Sequence, residues 1–347
     1  MELLTHPDFD DHELVIACTD RASGLRAFIA VHDTSLGPGM GGCRMQHYPS
    51  EAAALRDALR LSRAMSYKYA ASGLGYGGAK AVIMDAPGAG PRSARLLAFG
   101  GILERLGGLY TTAEDAGIDT ADVRLIGTLT RHVRNLPLED TGDGALCTAW
   151  GVLHGIRAGL EHRGMPGFAG RTVAVEGLGK VGMALCGLLH QAGANLLYYD
   201  IDATKVAQAR EAFGGVAVPA GTIHKAEADV YAPCALGATL NPATVPEIRA
   251  RIVAGAANNQ LSDAAQDRML WERGITYCPD YVVNAGGVLS VAPHGTVYAR
   301  ADALARVAGI LDTTRQVLAL SRSERIPSGA AADRLALGRL RRPLPGQ

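Results

Sequence analysis

The sequence predicts an α/β fold in two domains, from three observations. Its 347 residues, 48% hydrophobic and 20% charged, fill about two domains with ample core. From about Gly142 onward, short apolar runs recur at 171–176, 195–200, 228–233, 251–255 and 274–278, separated by Ala-rich helical stretches. That alternation is the pattern of a parallel sheet covered by helices on both faces. Finally, the chain holds 43 Gly, about 12% where roughly 7% is usual. Excess glycine in a long, apolar chain points to backbone brought close to a ligand.

Taken in order, Leu14 to Cys18 and Leu25 to Val31 read as strands. The glycine run Gly37 to Gly42 reads as a turn. Ser50 is the expected N-cap of a helix reaching about Ala70, with Leu55, Ala58, Leu59 and Met65 at helical spacing. A second glycine turn, Gly73 to Gly78, leads through Lys80 into the strand Ala81 to Met84. A helix follows over Ser93 to Leu106, then a strand from Tyr110 that ends in the acidic pair Glu114-Asp115. The pattern changes near Asp140 to Gly144. A last long helix is marked by Val307, Ile310, Leu311, Thr314, Val317 and Leu318, and the residues from Arg341 onward read as a frayed tail.

Composition also excludes several roles. Lys plus Arg equal Asp plus Glu at 34 each, so no overall field draws in nucleic acid or an anionic membrane. No apolar run is long enough to span a bilayer, and the first residues lack a signal peptide's basic flank and apolar stretch. Six scattered cysteines with no C-x-x-C pair read as reduced thiols of a cytoplasmic protein. The ten histidines form no H-x-x-x-H pair, so no metal is expected.

The sharpest motif begins where the strand Arg171 to Glu176 runs into Gly177-Leu178-Gly179-Lys180-Val181-Gly182 and then a helix. This is G-x-G-x-x-G in its required setting. Gly177 permits the tight turn, Gly179 admits a pyrophosphate to the backbone, and Gly182 lets helix and strand pack closely. The next strand ends in Asp200, whose carboxylate can accept from ribose hydroxyls and would repel a 2′-phosphate. The expected cofactor is therefore NAD in a Rossmann-type domain, with Asp202 a second candidate for the ribose contact.

In the first half, Lys68, Lys80 and Asp115 stand out beside glycine turns or at element ends. Lys68 shares a helix face with Met65, expected to be the buried one. Lys80 follows Gly77-Gly78-Ala79, where missing side chains leave room for a ligand. A buried lysine beside another cation has its ammonium form disfavoured and can serve as a general base. Singly, these also read as a lysine at a helix C-terminus, a solvated lysine at a strand start and a helix-cap carboxylate. Gly41-Gly42 equally offers backbone N–H groups or a plain turn.

Together they resemble a family. Gly37-Pro38-Gly39-Met40-Gly41-Gly42-Cys43-Arg44-Met45, Met65-Ser66-Tyr67-Lys68, Gly77-Gly78-Ala79-Lys80 and Thr112-Ala113-Glu114-Asp115 occur in family order. So do Ala232-Pro233-Cys234-Ala235-Leu236-Gly237, Gly255-Ala256-Ala257-Asn258-Asn259 and Asn284-Ala285-Gly286-Gly287-Val288. They are similar to the leucine/phenylalanine/valine branch of the glutamate-dehydrogenase-like amino-acid dehydrogenases, over residues 10 to 335.

The resemblance implies two α/β domains flanking a cleft: a substrate-binding domain over 1–142, a Rossmann-type domain over 143–320, and a segment 321–347 packing back toward the first. It implies that Lys68 and the backbone at Gly41 and Gly42 hold the substrate carboxylate. Lys80 would activate water, Asp115 would handle protons at the amino group, and Met65 would line the pocket. Cys234, Ala235, Asn258 and Asn284 would belong to the cofactor side. In glutamate-specific relatives a lysine precedes the first Gly-Gly, and a serine stands where this chain has Val291. Here Met40 takes the lysine's place. Burying a glutamate carboxylate unpaired against Met40 and Val291 would cost several kcal/mol, so an apolar L-amino acid is the expected substrate. The expected reaction is reversible oxidative deamination by a homo-oligomer. A 2-hydroxy-acid dehydrogenase fits less well, since no His falls in a matching motif. The other alternative is a non-catalytic sensor of NAD or an amino acid, which need not keep a catalytic base.

Overall fold

A computed structural model describes residues 3–86, 88–134, 143–290 and 299–340. The chain divides into two compact units, Met1–Asp140 with Ala336–Gln347, and Thr141–Leu335.

The first unit contains β1 (Leu14–Asp20), β2 (Leu25–Asp33), β3 (Gly39–Gln46), α1 (Glu51–Ser72), β4 (Gly77–Met84), α2 (Arg92–Arg105), β5 (Tyr110–Ala113) and α3 (Thr120–Gly127). Its strands form one mixed sheet in the order β1-β2-β4-β3-β5, with β3 parallel to both β4 and β5. Side chains alternate across the sheet. Ala30 and Val82 pack with Ala54, Leu55, Ala58 and Leu59 of α1, while Ile29 and Ile83 pack with Leu96, Phe99, Val123 and Ile126 of α2 and α3. Lys80 lies two residues before Val82 and pairs with Ala30, so it belongs to the α1 face. Ser50 caps α1 through Oγ, which accepts from Ala53 N at 3.1 Å.

Both glycine runs read as turns end inside strands. Gly39 to Gly42 belong to β3, and Gly77 to Lys80 belong to β4. The reason is space. A Cβ on Gly41 would overlap Ala79 O, one on Gly42 would run into Glu114 O, and one on Gly78 would strike Ser66 of α1. Glycine is weak in isolated strands, but here only glycine allows the backbones to approach so closely.

The second unit contains α4 (Asp143–His162), β6 (Thr172–Glu176), α5 (Lys180–Gln191), β7 (Asn195–Tyr199), α6 (Ala203–Phe213), β8 (Val216–Ala217), β9 (Val230–Pro233), β10 (Ile252–Val253), α7 (Ala264–Glu272), β11 (Thr276–Tyr277), α8 (Asp280–Val283), α9 (Gly286–Leu289) and α10 (Arg300–Glu324). Its sheet is wholly parallel, in the order β11-β10-β9-β6-β7-β8. Counted from β6, that is the doubly wound order 3-2-1-4-5-6, which reverses direction between β6 and β9. Val173, Val175, Leu185, Leu189 and Leu318 fill one side, and Ala174, Tyr231, Val253 and Leu270 the other.

A further helix, α11 (Ser328–Leu340), stands where the sequence offered no element. The return to the first unit begins at Ala336, not at residue 321. The stretch before it stays with the second unit: Leu318 of α10 joins that core, and Asp267 Oδ1 and Oδ2 accept from Gly329 N and Ala330 N at the start of α11. No described helix is long and apolar enough to cross a membrane.

Candidate active site and nucleotide turn

In the first unit, Lys80 and Asp115 come together. Lys80 Nζ lies 2.8 Å from Asp115 Oδ2, with the lysine side chain only 7% exposed. The same oxygen accepts from Arg44 Nε at 3.0 Å. Burial works to raise the Asp115 pKa, but the charges of Lys80 and then Arg44 outweigh it, so the carboxyl is held below the usual range. Arg44 Nη1 in turn reaches Asp57 Oδ2 of α1 at 3.1 Å, and Tyr48 donates to that oxygen at 2.6 Å.

Lys68 and Met65 are half-buried on α1. Their face is therefore not the buried one; the buried residues of this part of the helix are Ser62, Ser66, Tyr67, Tyr69 and Ala70. Met65 Cγ lies 3.4 Å from where a Cβ on Gly41 would stand. Met40, 5% exposed, is on β3 beside Gly41 and Gly42, in register with Gly78 and Thr111. Gly41 O accepts from Tyr110 Oη at 2.9 Å. Val291 lies outside the described residues.

Two histidines help seat α1 on the sheet. His32 Nδ1 is 2.8 Å from Ser66 Oγ, and His12 Nε2 is 3.0 Å from Leu59 O. Neither histidine, nor Arg44, Asp57 or Tyr48, was singled out from the sequence. Arg44 alone carried a signal, since it lies within the motif that begins at Gly37.

In the second unit, the glycine motif forms the β6–α5 turn, and the three glycines have distinct environments. Gly177 has φ 94°, and a Cβ there would lie 2.7 Å from Ala235 Cβ. A Cβ on Gly182 would overlap Gly177 O, whereas one on Gly179 meets nothing within 4 Å. The turn is closed on itself and open on one side, as a phosphate-binding turn requires. Lys180 opens α5 and is exposed; Val181 is half-buried.

Asp200 is tied to this turn. Its Oδ2 accepts from Leu178 N at 2.6 Å and its Oδ1 from Asp202 N at 2.8 Å. Asp202 is occupied as the N-cap of α6, accepting from Thr204 N at 2.9 Å. Cys234 and Ala235 follow β9 at the reversal of strand order. Cys234 N donates to Glu176 O at 2.7 Å, and burial pushes its thiol up to about 12, so it stays protonated. Asn284 Nδ2 donates to Asn258 Oδ1 at 2.8 Å and to Ala256 O at 3.2 Å. The Oδ1 of Asn284 is buried without a protein hydrogen bond. The exposed Gly179 and this orphan acceptor fit a dinucleotide with a polar headgroup.

Comparisons with known proteins agree with this arrangement. Residues 12–132 match the family described as Glu/Leu/Phe/Val dehydrogenase, dimerisation domain, and residues 196–293 match Glutamate/Leucine/Phenylalanine/Valine dehydrogenase. The chain is 43% identical over 343 residues to leucine dehydrogenase of Geobacillus stearothermophilus, covering 98% of this chain and 94% of that one. It is 44% identical over 348 residues to valine dehydrogenase of Streptomyces albus, covering 98% and 95%. Among solved structures, L-tryptophan dehydrogenase from Nostoc punctiforme superposes with a TM-score of 0.86 at 39% identity, over 95% of this chain and 96% of that one. Dehydrogenases of this kind depend on a pyridine nucleotide. With both sheets and the motif order in agreement, the chain belongs to the leucine/phenylalanine/valine branch of the Glu/Leu/Phe/Val dehydrogenase family and is an amino-acid dehydrogenase.

Proposed function

We propose that the protein catalyses reversible, NAD-dependent oxidative deamination of an apolar L-amino acid. Amino acid, NAD⁺ and water give the 2-oxo acid, ammonium, NADH and a proton. The observation that carries this reading is the Lys80–Asp115 pair, two opposite charges in contact on a glycine-lined part of the sheet.

Lys68 supplies the fixed cation for the substrate carboxylate, with Gly41 and Gly42 keeping the neighbouring backbone free of side chains. Asp115 takes a proton from the substrate amino group. Once its ammonium has released a proton to solvent, Lys80 acts as base on the water that adds to the imino acid, and the 2.8 Å contact lets a proton pass between Nζ and Oδ2. The Gly177–Gly182 turn holds the pyrophosphate, Asp200 faces the ribose, and Asn258 and Asn284 serve the nicotinamide end. A nicotinamide nucleotide bound there accepts the hydride released from the substrate Cα.

The choice of NAD is supported by the carboxylate of Asp200, which would repel a 2′-phosphate. The choice of an apolar side chain is supported by Met40, a buried thioether where a glutamate carboxylate would need a cation. Assembly with copies of itself is supported by the dimerisation-domain family matched over 12–132. A cytoplasmic setting is supported by six cysteines that form no disulfide, five of them buried.

The test is NADH formation at alkaline pH with L-leucine, valine, isoleucine, phenylalanine, tryptophan, alanine and glutamate, each with NAD and NADP. Turnover of apolar members with NAD, and none of glutamate, is expected. Glutamate turnover, or a preference for NADP, would overturn the assignment of Met40 or Asp200 respectively.

A further inference from the structure

We propose that Arg44 is a positioning residue for the reaction: its Nε fixes the Asp115 oxygen that also meets Lys80, while its Nη1 anchors that assembly to Asp57 of α1. The inference rests on the proposed roles of Lys80 and Asp115.

The geometry is a branched chain of charge across three elements. Lys80 from β4 and Arg44 from β3 converge on one oxygen, Asp115 Oδ2, at 2.8 and 3.0 Å. Two donors on one oxygen fix the carboxylate's rotation more tightly than either would alone. Arg44 is held at its other end by Asp57, 3.1 Å away, and Asp57 is held by Tyr48. A guanidinium spans the two carboxylates from separate nitrogens of a rigid fork, whereas lysine would have to serve both from one nitrogen on a flexible stem. Side chains of Arg44, Asp57 and Asp115 are each about a quarter exposed or less, so water screens them only partly.

The charged and titratable groups facing Asp115 are few. Lys80 comes from β4, Arg44 and the Cys43 thiol from β3, and the Tyr110 phenol from β5. Burial raises both the Cys43 and Tyr110 pKa values, which keeps them neutral. The two cations therefore oppose burial between them. If Arg44 loses its charge, Lys80 and the hydrogen bond from Ala116 N remain against burial, the Asp115 pKa rises, and more alkali is needed to ionise it. A purely structural bond between β3 and α1 would not move that titration.

The experiment compares the pH dependence of kcat/KM for oxidation of the best apolar amino acid in wild type, Arg44→Met, Arg44→Lys and Asp115→Asn. Arg44→Met should lower kcat about tenfold or more and move the acid limb to higher pH. Arg44→Lys should keep the limb near wild type, because the charge remains, yet lose several-fold in kcat because Asp57 is no longer spanned. An Arg44→Met enzyme with wild-type kcat and limb overturns the proposal. Should that variant fail to fold, wild-type kcat in Arg44→Lys overturns it equally. Asp115→Asn separates the two layers: if it turns over normally, the role of Asp115 itself is wrong, whatever Arg44 does.

Discussion

His12 has both ring nitrogens committed while neutral. Nδ1 accepts from Asp10 N at 3.2 Å, which leaves Nε2 to donate to Leu59 O at 3.0 Å. Burial disfavours the charged ring and lowers the pKa from 6.5 to about 4, and protonation would also set an N–H against the N–H of Asp10. The His32 pKa is lowered as well, burial again the leading cause. In the unfolded chain both bind protons near pH 6.5, so stability is full above that pH and is lost as pH falls toward 4. The loss is on the order of 2 kcal/mol after allowance for partial solvation. Thermal unfolding between pH 7 and 4 should show it, and His12→Gln should flatten the curve; an equally steep curve in the variant would exclude His12. Such pairs were illegible in the sequence, because His12 and Leu59 meet only after α1 has docked. Lys80 and Asp115 were legible through their motifs, whereas nothing in the spacing of Arg44 and Asp57 marked them as partners.

At the scale of elements, most strands and helices could be read from apolar periodicity, and the β6–α5 turn from its glycines. The exceptions have a common origin. Gly39 to Gly42 and the pair Gly77-Gly78 are strands by virtue of neighbours that need their backbones close, a tertiary demand that overrides local preference. The β6–α5 glycines make a paired prediction. Gly179→Ala meets open space, so Tm of the nucleotide-free protein should change by about 1 °C or less while nucleotide affinity drops about tenfold or more. Gly182→Ala would push into Gly177 O and should cost about 1–3 kcal/mol of stability before any ligand is added. Thermal shift and nucleotide titration on the two variants check both halves; equal Tm losses would refute the distinction.

At the scale of the whole molecule, the first unit is discontinuous in sequence. Helix α1 has no basic residue in its last turn, and Arg339 of α11 supplies one, with Nη1 donating to Ala70 O at 2.9 Å and Ala71 O at 2.5 Å. Ser35 Oγ donates to Leu340 O at 3.1 Å, and Ala336 and Leu340 are buried. A charged donor on two helix-end carbonyls contributes about 1–3 kcal/mol. Ending the chain after Leu335 should therefore lower the Tm, and Arg339→Ala should reproduce part of the drop in calorimetry; an unchanged Tm in both would rule out the cap. On the ribosome the same feature becomes a delay. Residues 1–140 emerge first, but the charged donor at the end of α1 waits until the whole of the second unit has been made, about 10–40 s at typical elongation rates. The nascent first unit spends that interval with α1 ended by its own Gly73 turn but without the charged donor of Arg339 on Ala70 O and Ala71 O.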